Sequence, residues 1–146
     1  KSIWMKIIGV KKKTGKIFKN SKGDLLKFVS KKNKYFKSFG EIYFNEIKNK
    51  KRKGWIKHKK YQCIFSVPFG KIDFILIDDR TTSKSFGKKT KITLNRENNE
   101  SMIVPPGIWF SFTTNKKKSI LVNVINGVHS DKEIEKSNLT KNILIK

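Results

Sequence analysis

Short apolar segments separated by turn residues run along most of the 146-residue chain, and this spacing predicts an all-β sandwich or barrel. No long stretch shows the 3.6-residue period of an amphipathic helix. The predicted strands are 3–8, 16–18, 25–29, 41–47, 62–67, 71–77, 90–94, 101–104, 108–112 and 119–125. A closed or double-sheet β fold accounts best for so many strands, because it leaves few strand edges exposed.

Two neighbouring segments in the middle of the chain carry the clearest local signals. Segment 71–77 begins by alternating and then becomes continuously apolar, which is typical of a central strand. The apolar segment before it ends at 68–70, where Gly70 can take a positive φ. The sequence therefore predicts a hairpin between these two strands with a three-residue connection.

Only one helix is predicted, and it lies near the C-terminus. Ser130 precedes the polar stretch 131–136, and Glu133 stands three residues later, where it completes a capping box. The last segment, 139–146, is mixed and leaves both strand and helix open. No linker or repeat divides the chain, so we expect a single domain over residues 1–146 with a short C-terminal helix.

Composition and charge narrow the class of protein. Aromatic residues make up 12% of the chain, which argues against disorder. The 35 Lys and Arg against 11 Asp and Glu give a formal net charge of +24, which by itself suggests nucleic acid. The basic residues, however, are nearly all lysines in short clusters between apolar segments, as in solvated turns. We therefore predict that nucleic acid is not the partner, and anionic small molecules remain compatible with the charge.

Cysteine usage and hydropathy indicate the cellular location of the domain. The single cysteine, Cys63, excludes an internal disulfide framework and a multi-cysteine zinc site. No apolar run approaches the roughly 18 residues of a membrane span. The apolar pieces near the start are short and interrupted by lysines, unlike a signal peptide. These features predict a soluble cytoplasmic domain with no membrane partner.

Several short motifs occur in a characteristic order: GEIYFNE at 40–46, GWIKHKK at 54–60, PFG at 68–70, DDR at 78–80 and PPGIWFSF at 105–112. With them, the chain resembles, from about residue 20 to residue 135, the RmlC-like cupin family. This family includes the dTDP-4-dehydrorhamnose 3,5-epimerases and related dTDP-4-oxo-6-deoxyhexose isomerases. The resemblance implies a cupin jelly-roll barrel, a homodimer, and a nucleotide-diphospho-sugar in the barrel mouth.

The family's chemistry removes a proton beside a sugar ketone, which requires a base, a proton donor and a cation for the enolate oxygen. The resemblance places Ile56 where epimerases have their catalytic histidine and Phe110 where they have a second one. Val122 falls at the position of the catalytic tyrosine, with Asn123 beside it. His58 matches the second histidine of the isomerases, and in a strand it shares a face with the residue two before it.

The resemblance therefore implies His58 as the proton-transfer residue and Tyr61 as the nearest candidate acid. The competing interpretation of His58 is an exposed histidine in a lysine-rich loop. Metal-binding cupins use four ligands whose positions here carry Ile56, His58, Gln62 and Phe110. One ligand of four cannot hold a transition metal, so we predict no metal and no cofactor.

The substrate-binding candidates also follow from the resemblance. Lys22 and Lys53 replace family arginines and complement the diphosphate, although both also suit solvated turns. Tyr43 and Asn45 alternate onto one face and orient the ligand, or else form a structural cross-strand pair. Gln62 is expected to line the cavity.

The predicted function is that of a sugar-nucleotide epimerase or isomerase acting on a dTDP-4-keto-6-deoxyhexose by metal-independent proton transfer, in surface-polysaccharide or deoxysugar biosynthesis. The alternative is a non-catalytic cupin that binds a nucleotide sugar and has lost its acid–base residues. Nucleic-acid binding by the lysine surface is a third hypothesis.

Overall fold

The computed structural model describes residues 6–138, which form β-strands and one short 3-10 helix, Arg96–Asn98. The strands are β1 (Lys11–Thr14), β2 (Ile17–Phe18), β3 (Leu25–Leu26), β4 (Glu41–Lys48), β5 (Arg52–His58), β6 (Cys63–Phe69), β7 (Lys71–Asp78), β8 (Lys89–Asn95), β9 (Glu100–Val104), β10 (Ile108–Thr113), β11 (Lys118–Ile125) and β12 (Ile134–Lys136). No helix in this range is long and apolar enough to cross a membrane.

Two five-stranded antiparallel sheets make up the body of the fold. One has the strand order β1-β9-β6-β11-β4 and the other β12-β5-β10-β7-β8, while β2 and β3 form a small separate ribbon. Strands from distant parts of the chain are neighbours in both sheets, as in a jelly roll. The prediction of an all-β cupin jelly roll is confirmed.

Aromatic side chains fill the space between the two sheets. The rings of Phe65 and Phe74 lie 5.2 Å apart, and the rings of Phe65 and Phe110 lie 5.1 Å apart in an edge-on arrangement. Phe112 continues the same group through Phe74 at 5.6 Å. All four are buried, so each contributes roughly 1.5–3 kcal/mol of hydrophobic stabilisation. Three members of this core, Phe65, Phe110 and Phe112, also line the cavity described below.

The predicted hairpin between segments 63–67 and 71–77 is wrong. β6 and β7 are joined through Gly70 alone, yet they lie in different sheets and do not pair with each other. Gly70 has a φ of +87°, and a Cβ there would stand 2.2 Å from the Ser119 hydroxyl oxygen. The glycine therefore permits a sharp corner between sheets rather than a hairpin turn. The expectation that 71–77 is an interior strand holds, since β7 lies between β10 and β8.

The predicted short C-terminal helix is also wrong. The Ser130 hydroxyl accepts a hydrogen bond from the Lys132 amide at 3.3 Å, but it caps only a turn. The Glu133 side chain does not return to Ser130; it reaches into the barrel. The residues after it, Ile134–Lys136, pair with β5. Long-range strand pairing therefore prevails over the local capping signal.

Three strands of the structure were not predicted: β1, β5 and β12. Their sequences are rich in lysine or arginine, and β1 is exposed along its whole length, so they lack the apolar alternation of the other strands. Of the predicted strand 3–8, residues 6–8 form none, and the rest lies outside the described residues. The open segment 139–146 lies outside them as well.

Candidate active site

A cavity of about 350 Å³ opens between the two sheets. Its apolar lining consists of Ile56, Phe65, Phe110, Phe112, Leu121 and Ile134. Its polar lining consists of Tyr43, Asn45, His58, Asn123, His129 and Lys136. β4 and β11 form one wall, and β5, β10 and β12 form the other. A floor of apolar side chains with a few polar groups above it is typical of a small-ligand site.

His58 ends β5 and lies in the wall of this cavity. Its side chain is buried, and Nδ1 stands 2.7 Å from Oε1 of Glu133. The imidazole stacks on the Phe110 ring with a centroid distance of 6.2 Å and an interplanar angle of 9°. Ile56, two residues earlier, lines the same cavity, as strand alternation predicts. The structure thus places His58 in the cavity and not in an exposed loop.

Glu133 fixes the orientation of His58 and the ring nitrogen that carries its proton. Its other oxygen accepts hydrogen bonds from the backbone amides of Lys60 at 3.0 Å and Tyr61 at 3.3 Å. Burial by itself would raise the pKa of Glu133, but the hydrogen bonds from Lys60 and His58 outweigh it and lower the pKa. A carboxylate can only accept, so Nδ1 carries the proton of this hydrogen bond, and Nε2 is the ring nitrogen that Glu133 does not bind.

Sequence reasoning missed Glu133 because the residue was assigned to a helix cap. It lies 75 positions from His58, and nothing in the local pattern joins the two. The one usable signal is chemical, since a functional histidine generally needs a carboxylate or carbonyl partner. Glu133 and Glu135 are the acidic residues just after Asp131, and the strand register separates them: only Glu133 reaches His58.

Tyr43 and Asn45 line the opposite wall from neighbouring positions of β4. The Tyr43 hydroxyl donates to Glu41 at 2.8 Å, and burial followed by this contact raises the pKa of Tyr43 to about 12. Tyr43 is therefore a protonated phenol at neutral pH. The Asn45 side-chain oxygen accepts a hydrogen bond from Nζ of Lys53 at 2.6 Å, which holds this lysine beside the cavity wall.

The other predicted site residues lie elsewhere. Tyr61 packs its ring against Gly127, where an added Cβ would approach the ring carbons to 2.1 Å. The Gln62 side chain is buried and donates to the Tyr35 carbonyl at 2.8 Å. Lys22 lies in the exposed turn between β2 and β3. None of these three predicted residues is among the side chains that line the cavity.

The positions that lack the family's catalytic groups can now be placed. Ile56 and Phe110 both line the cavity, so apolar side chains stand where the resemblance expects histidines. On β11 the alternation turns Asn123 into the cavity, opposite Tyr43, whereas Val122 belongs to the other face. The Asn123 side-chain oxygen is buried and, within residues 6–138, has no hydrogen-bond partner.

The donor set of the described residues bears on metal binding. Nowhere between residues 6 and 138 do three His, Cys, Asp or Glu side chains come together as a metal site would require. The one buried histidine of the cavity already donates through Nδ1 to Glu133. Cys63 is buried in β6, and burial raises its thiol pKa to about 12.

Residues 6–142 match the family model of dTDP-4-dehydrorhamnose 3,5-epimerase. The chain belongs to this family. No curated protein matches the chain in sequence. The epimerase-family match covers every strand and every cavity residue described above.

Solved structures of dTDP-sugar enzymes share the fold. A dTDP sugar isomerase from Desulfovibrio desulfuricans is 26% identical with a TM-score of 0.90, over 96% of this chain and 91% of that one. A dTDP-4-dehydrorhamnose 3,5-epimerase from Bacillus anthracis, with TDP and PPi bound, is 18% identical with a TM-score of 0.85, over 94% and 83%. The enzyme from Legionella pneumophila, in complex with dTDP-4-keto-L-rhamnose, is 18% identical with a TM-score of 0.85, over 98% and 80%.

Proposed function

We propose that this protein epimerises or isomerises a dTDP-4-keto-6-deoxyhexose by metal-independent proton transfer at His58. The observation that carries the proposal is the buried His58–Glu133 pair in the wall of a cavity between the two sheets. Membership of an epimerase family supports the reaction class, and the ligands named for the Bacillus and Legionella structures support the substrate class.

The pair supplies the central step of such a reaction. Nε2 of His58 takes the proton from a carbon next to the sugar ketone, and the electron pair of the C–H bond moves toward the carbonyl oxygen. The resulting imidazolium is stabilised by the Glu133 carboxylate at 2.7 Å. In an epimerisation, a proton from solvent then reaches the opposite face of the same carbon, and His58 releases its own proton to solvent. In an isomerisation, His58 gives its proton to the former carbonyl carbon, while the neighbouring hydroxyl proton passes to the former carbonyl oxygen. The stacked Phe110 ring limits rotation of the imidazole between the two events.

Binding groups surround the sugar in this proposal. Tyr43, protonated at neutral pH, and Asn45 orient the hydroxyl groups from β4. Lys53 lies against Asn45 at the edge of the cavity, where a point charge complements the diphosphate. The donor set of the described residues supports the proposal of metal independence, since it holds no cluster of His, Cys, Asp and Glu. Phosphate binding by Lys22 and substrate contacts by Tyr61 and Gln62 stay predictions.

We also propose that the protein is a homodimer. Phe39, Ile42 and Phe44 are 64%, 43% and 74% exposed, which is unusual for large apolar side chains on one strand and the loop before it. Among the strands of residues 6–138, β4 pairs only with β11 and is the edge of its sheet. Light scattering should give a dimer for the wild type and a monomer for Phe44→Glu; a monomeric wild type contradicts this part of the proposal.

Solvent exchange tests the enzymatic proposal directly. In deuterated water, the wild-type protein should incorporate deuterium at ring carbons of a dTDP-4-keto-6-deoxyhexose. Mass spectrometry or NMR detects this deuterium. His58→Gln should lower the exchange rate about 1000-fold, because a general base contributes roughly 10²–10⁴. Lys132→Gln, in an exposed turn outside the cavity lining, is the control and should exchange like the wild type. Absence of exchange with the wild type contradicts the proposal.

One observation favours a second function, a non-catalytic cupin that binds a nucleotide sugar. Ile56 and Phe110 place apolar groups at two positions of the cavity where acid–base residues were expected. Thermal stabilisation by dTDP without any solvent exchange would establish it. Steep salt dependence without preference for dTDP would instead indicate nucleic-acid binding. The pathway and the cytoplasmic location stay predictions.

A further inference from the structure

A positive charge near the carbonyl oxygen stabilises an enolate, and the two lysines expected from the sequence are not among the residues that line the cavity. Nζ of Lys53 donates to the Asn45 oxygen at 2.6 Å, and Lys22 lies on a distant turn between β2 and β3. Among the residues that line the cavity in the described chain, one lysine is present, and it is Lys136 on β12.

Strand alternation explains why Lys136 faces the cavity. Ile134 and Lys136 line it from one face of β12, while Glu135 between them points away and pairs with Lys57 at 3.4 Å. In the register with β5, Ile134 lies opposite His58 and Lys136 lies opposite Ile56. The lysine therefore stands one alternation step along the same wall from the proposed base.

The ammonium group of Lys136 is available to a ligand. Its side chain is exposed, and within residues 6–138 it makes no hydrogen bond or ion pair. Lys57, by contrast, is held by Asp79 at 2.6 Å and by Glu135. The buried carboxylate of Glu133 is occupied by His58 and two backbone amides. Lys136 thus places a positive charge at the exposed edge of the cavity, with no carboxylate paired to it among residues 6–138.

We propose that Lys136 is a catalytic residue that stabilises the enolate oxygen; this inference rests on the proposed function. As His58 takes the proton, the C–H electron pair forms the C=C bond and the carbonyl π pair moves to oxygen, which becomes negatively charged. The Lys136 ammonium donates a hydrogen bond to that oxygen without transferring its proton. When the proton returns to carbon, the carbonyl re-forms and the lysine is unchanged.

The turn before β12 couples this lysine to the base. The three-residue spacing from Glu133 to Lys136 places both on one short segment that pairs with β5. Glu133 orients His58, and Lys136 donates to the enolate oxygen that forms when His58 removes the proton. A single C-terminal segment thereby supplies two groups that the apolar positions Ile56 and Phe110 cannot provide.

The test compares Lys136→Met, Lys136→Arg and the control Lys132→Met in the solvent-exchange assay, with dTDP affinity measured alongside. Lys136→Met should lower kcat for exchange about 100-fold, the typical effect of losing one oxyanion donor. Lys136→Arg should retain most of the rate, Lys132→Met should match the wild type, and dTDP affinity should stay the same in all three. Thermal unfolding checks that each variant is folded.

The outcomes separate this inference from the proposed function. Wild-type exchange together with an unchanged rate in Lys136→Met overturns the inference and leaves the proposed function intact. A loss of dTDP affinity with unchanged kcat also overturns it, because Lys136 would then be a phosphate contact. Absence of exchange in the wild type overturns the proposed function, and this inference with it.

Discussion

Two buried carboxylates, Asp78 and Glu133, lie in different parts of the barrel and have different hydrogen-bond partners. Asp78 is fully buried at the end of β7, where it binds Arg80 Nε at 2.9 Å and the Ser85 hydroxyl at 2.5 Å. Glu133 is 4% exposed and binds His58 and two backbone amides. Both have their acceptor capacity satisfied, as buried carboxylates require.

The two carboxylates differ in the chemistry of the side chains that they bind. Arg80 is permanently charged, and its Nη2 donates to Asp78 at 3.0 Å and to the Ile8 carbonyl at 2.6 Å, which ties the Asp78 network to the fold. His58 can gain and lose a proton, and its second ring nitrogen is left for the cavity. A buried carboxylate thus serves stability when its partner is permanently charged, and chemistry when its partner can gain and lose a proton.

The largest expected effect comes from breaking the Asp78 network. Asp78→Ala should lower the free energy of unfolding by about 3 kcal/mol, because Arg80 and Ser85 lose their buried partner. Urea unfolding measures this loss. Asp131→Ala removes a fully exposed carboxylate and should change stability by less than about 0.5 kcal/mol. Equal stability of the two variants would show that the Asp78 network is not structural.

Glu133→Gln should mainly affect the reaction rate. Glutamine keeps an acceptor for the backbone amides but loses the charge that stabilises the imidazolium, so exchange should fall about 100-fold. The matched control is Glu135→Gln on the same strand, which faces Lys57 and not the cavity. Equal rates in the two variants would remove Glu133 from the site and leave it a structural carboxylate like Asp78.

The pH dependence of stability should reveal both carboxylates. Burial would raise the pKa of each, but hydrogen bonds outweigh it and leave both below their ordinary values of 3.8 for Asp78 and 4.5 for Glu133. Their stabilisation is therefore complete above the ordinary values and is lost as the pH falls through the lower folded ones. The wild type should lose roughly 2 kcal/mol more than the Asp78→Ala, Glu133→Gln double variant in acid. Urea unfolding measures the free energy of unfolding at each pH. The same loss in acid for the wild type and the double variant would contradict this prediction.

The sheets were largely predictable because their interior strands carry continuous or alternating apolar residues. The strand at 71–77 and the segment 119–125 appear nearly as expected, as β7 and β11. β5 and β12 were missed because charged side chains such as Lys53, Lys57 and Glu135 interrupt the apolar alternation that marks the other strands. Such strands are stabilised by long-range pairing, which no local pattern contains.

The site was predictable where a motif fixes a residue, and not where the fold creates a contact. His58 followed from its place in a motif and from strand alternation, and it lies in the cavity. Glu133 and Lys136 come from a segment that local capping rules assigned to a helix. Tyr61 was chosen for its proximity to His58 in sequence, but its ring packs on Gly127, while Tyr43 reaches the cavity from another strand.

Asn123 extends the comparison to a group that the fold leaves unsatisfied. Its buried side-chain oxygen has no partner within residues 6–138, in contrast to both carboxylates. The Asn123 nitrogen donates only a long hydrogen bond to Cys63 Sγ at 3.6 Å. Replacing a largely unsatisfied group with an apolar side chain of similar shape costs little, so Asn123→Leu should change the free energy of unfolding by less than about 1 kcal/mol. If the amide binds a sugar hydroxyl, the same variant should bind the dTDP-sugar about fivefold more weakly, since a lost hydrogen bond costs about 1 kcal/mol. Calorimetry with dTDP alone, which lacks the sugar, is the control and should show no change. A destabilised variant with unaltered sugar affinity would instead place Asn123 with Asp78, among the residues that only support the fold.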